Sequence, residues 1–381
     1  MRTSPIQASL ATLCFPVPES RGRRYPELPH PYRNDFQHDR DRIIHARAFR
    51  RLEDKTQVFT PGLSDHFRNR LTHTIEVAQI ARTVAAVLGL EEDLTEALAL
   101  GHDVGHPPFA HAGEDELDRQ MRRFGDGFDH NLHSLRIVES FEQRYARFPG
   151  LNLTFEVREG IAKHSRDFEP GEFPELDEYL PGLRPPLEAQ LIDLADEIAY
   201  NTADLDDGFS ARLFSVAQIV EEVPHYREMA EGAEFQFGGA SERTRFQESL
   251  RALVDHLVTG LIEGTHDAAS KAGVRDVNGV RRHPERLAAL TEPARETNSG
   301  LKKFLHAHVY GSELLAAERT RCAQMVAELF QFFVENPQSL PENYETSGLT
   351  VHRAACDYIA GMTDGYFRRV HQQMLGQERR S

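Results

Sequence analysis

The chain has 381 residues, of which 40% are hydrophobic and 27% charged, and a formal net charge of −16 at pH 7, which together describe a globular protein with an ample core. No apolar run approaches the ~18 residues that a membrane span needs, and the acidic balance argues against a general nucleic-acid binder, whose affinity depends on neutralising phosphates. The three scattered cysteines contain no CxxC pair, which favours a reducing cytoplasm over a disulfide framework or a thiolate metal site.

The first segment, residues 1–35, contains six prolines and the basic cluster Arg21, Arg23 and Arg24. This composition predicts an extended or partly disordered arm, and its start lacks the features of a signal peptide. Residues 1–60 carry 11 Lys and Arg against 7 Asp and Glu. Such a local excess suits a small anion better than a polymer, although the arginines could equally pair with neighbouring acids.

Helical spacing of apolar residues dominates the rest of the chain. We predict helices over residues 36–52, 69–88, 93–102, 112–121, 130–144, 155–164, 188–207, 212–220, 242–262, 296–309, 313–335 and 350–374. Gly89 and Gly208 are expected to end the second and seventh of these. Residues 56–62 read as a short extended piece, 165–186 as an exposed excursion and 278–293 as a loop. Because an alternating strand pattern is almost absent, we predict an all-α fold.

The stretch from Gly101 to Glu114 has the densest chemistry in the chain. Its His102-Asp103 doublet offers an imidazole nitrogen and a carboxylate oxygen, which suit a borderline divalent cation. The following Gly-His-Pro-Pro interrupts the helix, because proline lacks a backbone donor and clashes with the preceding turn. A new helix then presents His111 and Glu114 on one face. Lone His-Asp pairs usually have no function, so this doublet needs ligands from elsewhere.

The helix predicted over residues 188–207 carries acids beside its apolar stripe. Asp196, Tyr200 and Asp204 are tightly flanked by apolar residues and are favoured as site residues, whereas Glu188 and Asp206 are expected on a solvated face. With His73 on an earlier helix and the His102-Asp103 doublet, Asp196 would give a divalent ion two imidazoles and two carboxylates. Mixed nitrogen and oxygen ligation without thiolates suits Mn, Mg, Fe, Co, Ni or Zn in an open catalytic site.

The order His…His-Asp…Asp on successive helices resembles the HD superfamily of metal-dependent phosphohydrolases. Five longer motifs resemble, more specifically, the bacterial deoxyguanosine triphosphate triphosphohydrolase (dGTPase) family, and they cover residues 49–59, 68–82, 101–114, 196–204 and 353–364. The similarity runs from about Arg33 to the C-terminus. Together with the arm over residues 1–35, it indicates a helical HD-domain catalytic core over 36–275 and a helical C-terminal associated region over 276–381.

The resemblance implies a reaction in which water attacks the α-phosphate of dGTP, or of a broader range of deoxynucleoside triphosphates, and releases deoxynucleoside and tripolyphosphate. The resemblance implies metal ligation by His73, His102, Asp103 and Asp196, catalytic positions around the phosphates for His106 and His130, and deoxyribose contacts for Tyr200 and Asp204. From their chemistry we expect His111 with Glu114 to form a catalytic proton-transfer dyad, Arg70 to contact phosphate oxygens, and Gln57 and Lys163 to contact the nucleotide. The alternatives are a helix-surface ion pair for Arg70, a core hydroxyl for Tyr200 and a solvated side chain for Lys163. An imidazole titrates near working pH, which suits His111 to proton transfer.

Two positions depart from the family's pattern. Glu197 follows the last expected metal ligand, where some relatives place a phosphate-binding lysine, and its carboxylate would repel a phosphate unless it turns away. His133 stands where many members have glutamine, which puts hydrogen bonding around the site and base preference in question.

Family members assemble into tetramers or hexamers, so we expect a homo-oligomer. Some are also switched by a nucleotide or by single-stranded DNA, a role that the arginines of the arm could serve. The alternatives are an HD phosphohydrolase acting on nucleoside monophosphates or cyclic nucleotides, and a nucleotide-binding regulator with a vestigial site.

Overall fold

The computed structural model describes residues 6, 8–58, 67–345 and 348–376. Its α-helices are α1 Asp35–His45, α2 Arg47–Arg51, α3 Arg70–Leu88, α4 Glu92–Gly101, α5 Ala110–Arg122, α6 His130–Arg136, α7 Phe155–Ala162, α8 Leu187–Ser210, α9 Val216–Glu222, α10 Tyr226–Phe237, α11 Glu242–Ala272, α12 Val277–Arg282, α13 Glu292–Leu305, α14 Glu313–Glu335, α15 Glu342–Glu345, α16 Val351–Ala360 and α17 Asp364–Leu375. Within the described residues there is no β-strand, only three isolated bridges. The predicted all-α fold is confirmed.

The two glycines expected to end helices behave differently. Gly89 follows α3 with φ +80°, the left-handed conformation that favours glycine after a helix. Gly208 instead lies inside α8, so the predicted helix end is wrong. A Cβ atom on Gly208 would lie 2.6 Å from Phe214 Cε1 and 3.0 Å from Val309 Cγ2. This glycine therefore allows close packing against α8 rather than a turn.

Other helix boundaries also differ from the predicted ones. A π-helical turn over Ile137–Phe141 follows α6 and ends it before the predicted residue 144. The single helix predicted over residues 350–374 is in fact two helices, α16 and α17. Thr363 caps the start of α17, because its side chain accepts a hydrogen bond from the backbone N–H of Tyr366. Helix α10 was not predicted, and α12 lies partly in the expected loop over residues 278–293. Residues 59–62 of the predicted extended piece lie outside the described residues.

The start of the N-terminal arm is packed, so the prediction of an extended or partly disordered arm is wrong for residues 10–15, whereas Leu28 and Tyr32 further along are largely exposed. The side chains of Leu10, Leu13 and Phe15 are buried. Phe15 donates its backbone N–H to Oε1 of Glu188 over 2.8 Å. Glu188 is 0% exposed, which corrects its predicted place on a solvated face. A buried carboxylate needs such donors to compensate for lost hydration.

The predicted exposed excursion over residues 165–186 is also partly buried. Leu176 and Tyr179 in its short 3₁₀ helix are both buried, and the Tyr179 hydroxyl accepts a hydrogen bond from Arg158 Nη1 at 2.7 Å. The prolines in this stretch prevent an α-helix, but the segment still contributes to the core.

The chain divides into two compact units, each built from three segments. Unit 1 comprises Met1–Arg40, His73–Leu100 and Thr154–Ser312, and unit 2 comprises Asp41–Thr72, Gly101–Leu153 and Glu313–Ser381. This division differs from the linear one at residues 35 and 275, because each unit draws on early and late parts of the chain. In unit 1, α8, α11 and α13 pack on one another. In unit 2, α5, α14, α16 and α17 share an apolar core, which includes Leu117, Phe330, Ile359 and Phe367.

Among the described residues, no helix combines the length and the apolar character that crossing a lipid bilayer requires.

Candidate active site

Asp103 is the centre of a buried polar cluster in unit 2. Its Oδ1 lies 3.1 Å from His106 Nε2 and 3.6 Å from His102 Nε2, and its Oδ2 accepts a hydrogen bond from Arg70 Nη1 at 2.6 Å. Burial alone would raise the pKa of Asp103, but the charges of His102, Arg70 and His106 hold it well below its usual range. The carboxylate is therefore ionised, as metal ligation requires.

The loop after α4 has an unusual backbone that is fixed from several directions. Phe109 and Ala110 have φ values of +64° and +52°, a region that residues with a Cβ atom rarely adopt. Oδ1 of Asp364 accepts a hydrogen bond from the N–H of Phe109 at 3.0 Å, and the buried Lys55 donates from Nζ to the carbonyl oxygen of His106. These contacts hold the strained turn that leads into α5 and its His111.

A stacked pair of imidazoles stands beside Asp103. The rings of His106 and His130 are 3.9 Å apart at an interplanar angle of 20°. The ligand atoms of Asp103, His106 and His130 all lie within 4.8 Å of one another, so this trio has the donor set for a cation.

Glu114 contacts two imidazoles. Its Oε1 lies 2.6 Å from His130 Nδ1, and its Oε2 lies 3.6 Å from His111 Nδ1. Burial would raise the pKa of Glu114, but hydrogen bonding to His111 and His130 holds it well below its usual range. The sequence suggested that Glu114 orients His111. The structure adds a closer partner, His130, while His111 has a side chain that is 78% exposed.

In unit 1, His73 Nε2 lies 2.8 Å from Asp196 Oδ1. Sequence reasoning assigned no role to His164, which is the next neighbour of Asp196. His164 Nδ1 lies 2.8 Å from Asp193 Oδ1, and its Nε2 lies 3.7 Å from Asp196 Oδ2. Burial lowers the pKa of His164, but the two carboxylates outweigh it and raise that pKa to about 10. In the sequence, the signal for this cluster was the three-residue spacing of Asp193 and Asp196 on one helix.

The expected metal ligands fit a divalent ion in their chemistry. Unit 1 pairs an imidazole with a carboxylate in His73 and Asp196, and unit 2 does so in His102 and Asp103. His73, His102 and Asp103 are buried, so they are screened from solvent and held in fixed surroundings. Imidazole nitrogens and carboxylate oxygens are donor types that borderline divalent cations accept.

The face of α8 that carries Asp196 continues with Tyr200 and Asp204. Asp204 is 1% exposed and accepts a hydrogen bond from the hydroxyl of Tyr310. Glu197, expected to repel phosphates, accepts instead from Lys302 Nζ and from Asn298 Nδ2 at 2.7 Å. Its charge is therefore compensated within unit 1.

Lys163 is placed differently from its expected role as a nucleotide contact. The residue is 1% exposed, and its Nζ donates to Glu159 Oε1 at 3.0 Å and to the carbonyl oxygens of Leu180 and Leu183 at 2.9 and 2.7 Å. These bonds use the three protons of the ammonium group. Lys163 thus stabilises the fold of unit 1, and its role as a nucleotide contact stays a prediction.

Two further residues singled out by sequence lie in unit 2. Gln57 is half-buried, and its Oε1 has no hydrogen-bond partner among the described residues, which is compatible with a nucleotide contact. His133 is 1% exposed, with its Nδ1 3.6 Å from Asp357 Oδ1. Burial lowers the pKa of His133, so the imidazole is a neutral interior group beside α16.

Two known protein domains match regions of this chain. An HD domain matches residues 70–201 and a phosphohydrolase-associated domain matches residues 288–373. Proteins named deoxyguanosinetriphosphate triphosphohydrolase-like protein are similar over nearly the whole chain. The one from Ralstonia nicotianae is 43% identical, covering 98% of this chain and 96% of the relative. The one from Azoarcus sp. is 44% identical, covering 96% of each, and the one from Geobacter sulfurreducens is 43% identical, covering 94% and 93%.

Proposed function

The chain belongs to the deoxyguanosinetriphosphate triphosphohydrolase-like family of HD-domain phosphohydrolases, and from this premise we propose that it hydrolyses deoxynucleoside triphosphates to deoxynucleoside and tripolyphosphate. Membership makes it a metal-dependent phosphohydrolase. The substrate is dGTP or a broader set of deoxynucleoside triphosphates.

One observation carries the proposal. Asp196, Tyr200 and Asp204 recur every four residues along α8, and His73 contacts the first of them. Residues at this spacing share a helix face. A carboxylate suited to a metal is thus followed, one and two turns later, by an aromatic ring and a buried carboxylate suited to a sugar and its hydroxyl. A nucleotide with its phosphates towards Asp196 and its deoxyribose towards Asp204 matches that order.

We assign the metal to His73, His102, Asp103 and Asp196, with Mn, Mg, Fe, Co, Ni or Zn as the candidate ions. A divalent ion there supplies Lewis acidity to the phosphate and to water. Arg70 has five N–H donors, so one can hold Asp103 while the guanidinium also contributes positive charge for the phosphates. His106 and His130 place two further imidazole rings beside Asp103 in unit 2.

The proton transfers are assigned to the groups around Glu114. Attack of water at the α-phosphorus breaks the bond to the 5′-oxygen of the deoxynucleoside, and that poor leaving group needs a proton. We propose that His111 supplies it, because its exposed ring is accessible to substrate and its Nδ1 lies 3.6 Å from Oε2 of Glu114. Glu114 also accepts from His130 and so fixes the orientation of the ring that is stacked on His106.

The test uses purified protein, each of the four deoxynucleoside triphosphates, and Mn²⁺ or Mg²⁺ in turn, with the phosphate products separated. Tripolyphosphate in equal amount to deoxynucleoside supports the proposal. Release of orthophosphate or pyrophosphate, or cleavage of monophosphates or cyclic nucleotides only, would favour the alternative HD phosphohydrolases. Specific nucleotide binding without any hydrolysis would favour a regulator.

We also propose a homo-oligomer, a tetramer or hexamer, in the cytoplasm, to be tested by sedimentation and by cell fractionation. The arginines of the arm are not assigned to an effector. Arg23 pairs with the buried Asp39, and Arg24 pairs with Glu178 at 2.9 Å, so they serve the internal pairing that the sequence left open. A nucleotide or single-stranded DNA effector is tested by its effect on rate.

A further inference from the structure

The start of α17 contacts the strained turn that precedes α5, within unit 2. Oδ1 of Asp364 accepts a hydrogen bond from the backbone N–H of Phe109 at 3.0 Å. The ring of Phe367 packs edge-on against the ring of Phe109, with 5.0 Å between the centroids. The guanidinium of Arg368 lies 4.9 Å from the centroid of the same Phe109 ring. Three side chains within residues 364–368 therefore contact a single residue of the turn.

Helix α5 begins without a cap from its own sequence. Its N-cap residue is Phe109, which provides no side-chain hydrogen bond, and its first turn carries no acidic residue. The start of a helix needs acceptors for its backbone N–H groups and is stabilised by carboxylates. Asp364, which is 5% exposed, brings a carboxylate to this place from 255 positions away in the chain.

The same carboxylate also binds the segment that precedes α3. Oδ2 of Asp364 accepts from the backbone N–H of Thr56 at 3.0 Å and from the Thr56 hydroxyl. The preceding residue, Lys55, donates from Nζ to the carbonyl oxygen of His106 and to that of Ala360 at 3.3 Å. Lys55 and Thr56 thus join the loop after α4 to the end of α16 and the start of α17.

These contacts hold a backbone conformation that the turn would rarely adopt alone. Phe109 and Ala110 have φ values of +64° and +52°, where the Cβ atom crowds the backbone. Such conformations persist only when the surrounding structure fixes them. His111 follows directly, and Glu114 follows three residues later on the same helix. A change of φ at either residue of the turn would move both of these side chains together.

We propose that Asp364 is a positioning residue for proton transfer, which holds Phe109 and thereby places the His111–Glu114 dyad at the leaving group. The inference rests on the proposed function, which assigns proton transfer to that dyad. Asp364, Phe367 and Arg368 lie within the match to the phosphohydrolase-associated domain, whereas Phe109 lies within the HD-domain match. The associated region therefore contributes to catalysis by holding a turn of the HD domain.

The test compares two substrates: dGTP, or the deoxynucleoside triphosphate that the wild type prefers, and its 5′-thio analogue. Sulfur replaces the bridging 5′-oxygen in the analogue and leaves as a thiolate, which depends less on receiving a proton. Asp364→Asn keeps the size of the side chain and removes one acceptor oxygen. Its kcat for the oxygen substrate is expected to fall by about 10- to 100-fold, because the dyad is displaced. The fall for the thio analogue should be at most about threefold, and bound metal should be unchanged because Asp364 is not a proposed ligand.

Phe367→Leu and Phe333→Leu form a matched pair. Both phenylalanines are 0% exposed in the apolar core of unit 2, so both variants should lose similar stability. The ring of Phe367 contacts Phe109, whereas the ring of Phe333 contacts those of Phe332 and Tyr358. Only Phe367→Leu should therefore lower kcat for the oxygen substrate, with KM unchanged. This pair decides the question should Asp364→Asn not fold.

Hydrogen exchange follows the turn itself, independently of turnover. Peptides covering residues 104–116 should exchange faster in Asp364→Asn and in Phe367→Leu than in the wild type, because the turn opens more often once a contact is lost. The same peptides should exchange at the wild-type rate in Phe333→Leu.

The outcomes separate the two proposals. A wild type that hydrolyses no deoxynucleoside triphosphate refutes the proposed function, and the role of Asp364 falls with it. An active wild type together with an Asp364→Asn variant of undiminished kcat refutes the role of Asp364 alone. So does an equal loss on the oxygen and thio substrates, or an equal loss of kcat in Phe367→Leu and Phe333→Leu.

Discussion

Nδ1 of His130 lies 2.6 Å from Oε1 of Glu114. Glu114 also accepts a hydrogen bond from the backbone N–H of His130 at 3.0 Å, so its carboxylate binds both the side chain and the first turn of α6. A carboxylate that holds one imidazole nitrogen orients the ring and stabilises its charged form. Glu114 therefore acts on the stacked His106–His130 pair in unit 2 as well as on the more distant His111.

Glu114→Gln is expected to lower kcat by about 10²- to 10⁴-fold, the usual contribution of general acid–base catalysis. Bound metal should be unchanged, because Glu114 is not a proposed ligand. Steady-state kinetics with metal analysis of the same preparations measures both. Asp115→Asn, at the neighbouring exposed position of α5, is the control and should retain wild-type turnover. Full turnover in Glu114→Gln would show that the carboxylate has no part in proton transfer.

His102→Ala is expected to lose both bound metal and activity, since removing one of four protein ligands weakens the site and alters its geometry. Metal content after dialysis, measured by mass spectrometry of the elements, gives the result without relying on turnover. His266→Ala, which removes a histidine paired with Asp267 on α11, should keep its metal. Wild-type metal content in His102→Ala would exclude His102 from the ligand set.

Lys302→Met is expected to raise KM for a deoxynucleoside triphosphate by about 2- to 5-fold, the range for a partly exposed ion pair. The variant leaves the carboxylate of Glu197 without its cation, one residue from Asp196, where it opposes binding of a polyanion. Adding Glu197→Gln should restore KM, since the uncompensated charge is then absent. Equal KM values for Lys302→Met with and without Glu197→Gln would contradict charge compensation as the function of this pair.

Glu188→Gln is expected to make unfolding depend less on pH. Burial raises the pKa of Glu188, and the nearby Glu91 adds to the shift, while the N–H groups of Phe15 and Glu91 oppose it. Because the pKa of Glu188 is raised in the folded state, its protonated carboxyl contributes its full stability below the unfolded-state pKa of about 4.3. This contribution is lost as the pH rises through the folded-state pKa.

The glutamine variant has no charge to bury and keeps an acceptor for both N–H groups. Its melting temperature should exceed that of the wild type at pH 7, and the difference should vanish near pH 4. Thermal unfolding followed by circular dichroism across this range provides the measurement. A variant less stable than the wild type by the same amount at both pH values would mean that the carboxylate geometry, and not its charge, dominates.

Gly208→Ala is expected to destabilise the fold by about 1–3 kcal/mol, the usual cost of overpacking, because the new Cβ would lie 2.6 Å from Phe214 Cε1. Gly232→Ala is the control on α10, where a Cβ meets nothing within 4 Å. That change should stabilise the protein by about 0.5–1 kcal/mol. Denaturant titration compares the two, and equal effects would rule out the close approach.

The local features of this chain are determined by its sequence. Helix α14 has the predicted ends, and α3 ends at Gly89 as predicted, because capping and the spacing of apolar residues act over a few positions. The order of His73, His102-Asp103 and Asp196 likewise resembles the HD superfamily, and an HD domain matches residues 70–201.

Tertiary structure decided which polar side chains are buried and what they bind. Glu188 accepts a hydrogen bond from Phe15, 173 positions away in the chain, and Asp204 accepts one from Tyr310, 106 positions away. Lys163 donates its three ammonium protons to acceptors within unit 1. Helical periodicity predicts a solvated acid and a buried, hydrogen-bonded acid equally well, because both can stand beside the same apolar stripe. Only the partner brought by the fold compensates the cost of burying the charge, and that partner determined the place of Glu188, Lys163 and Asp204.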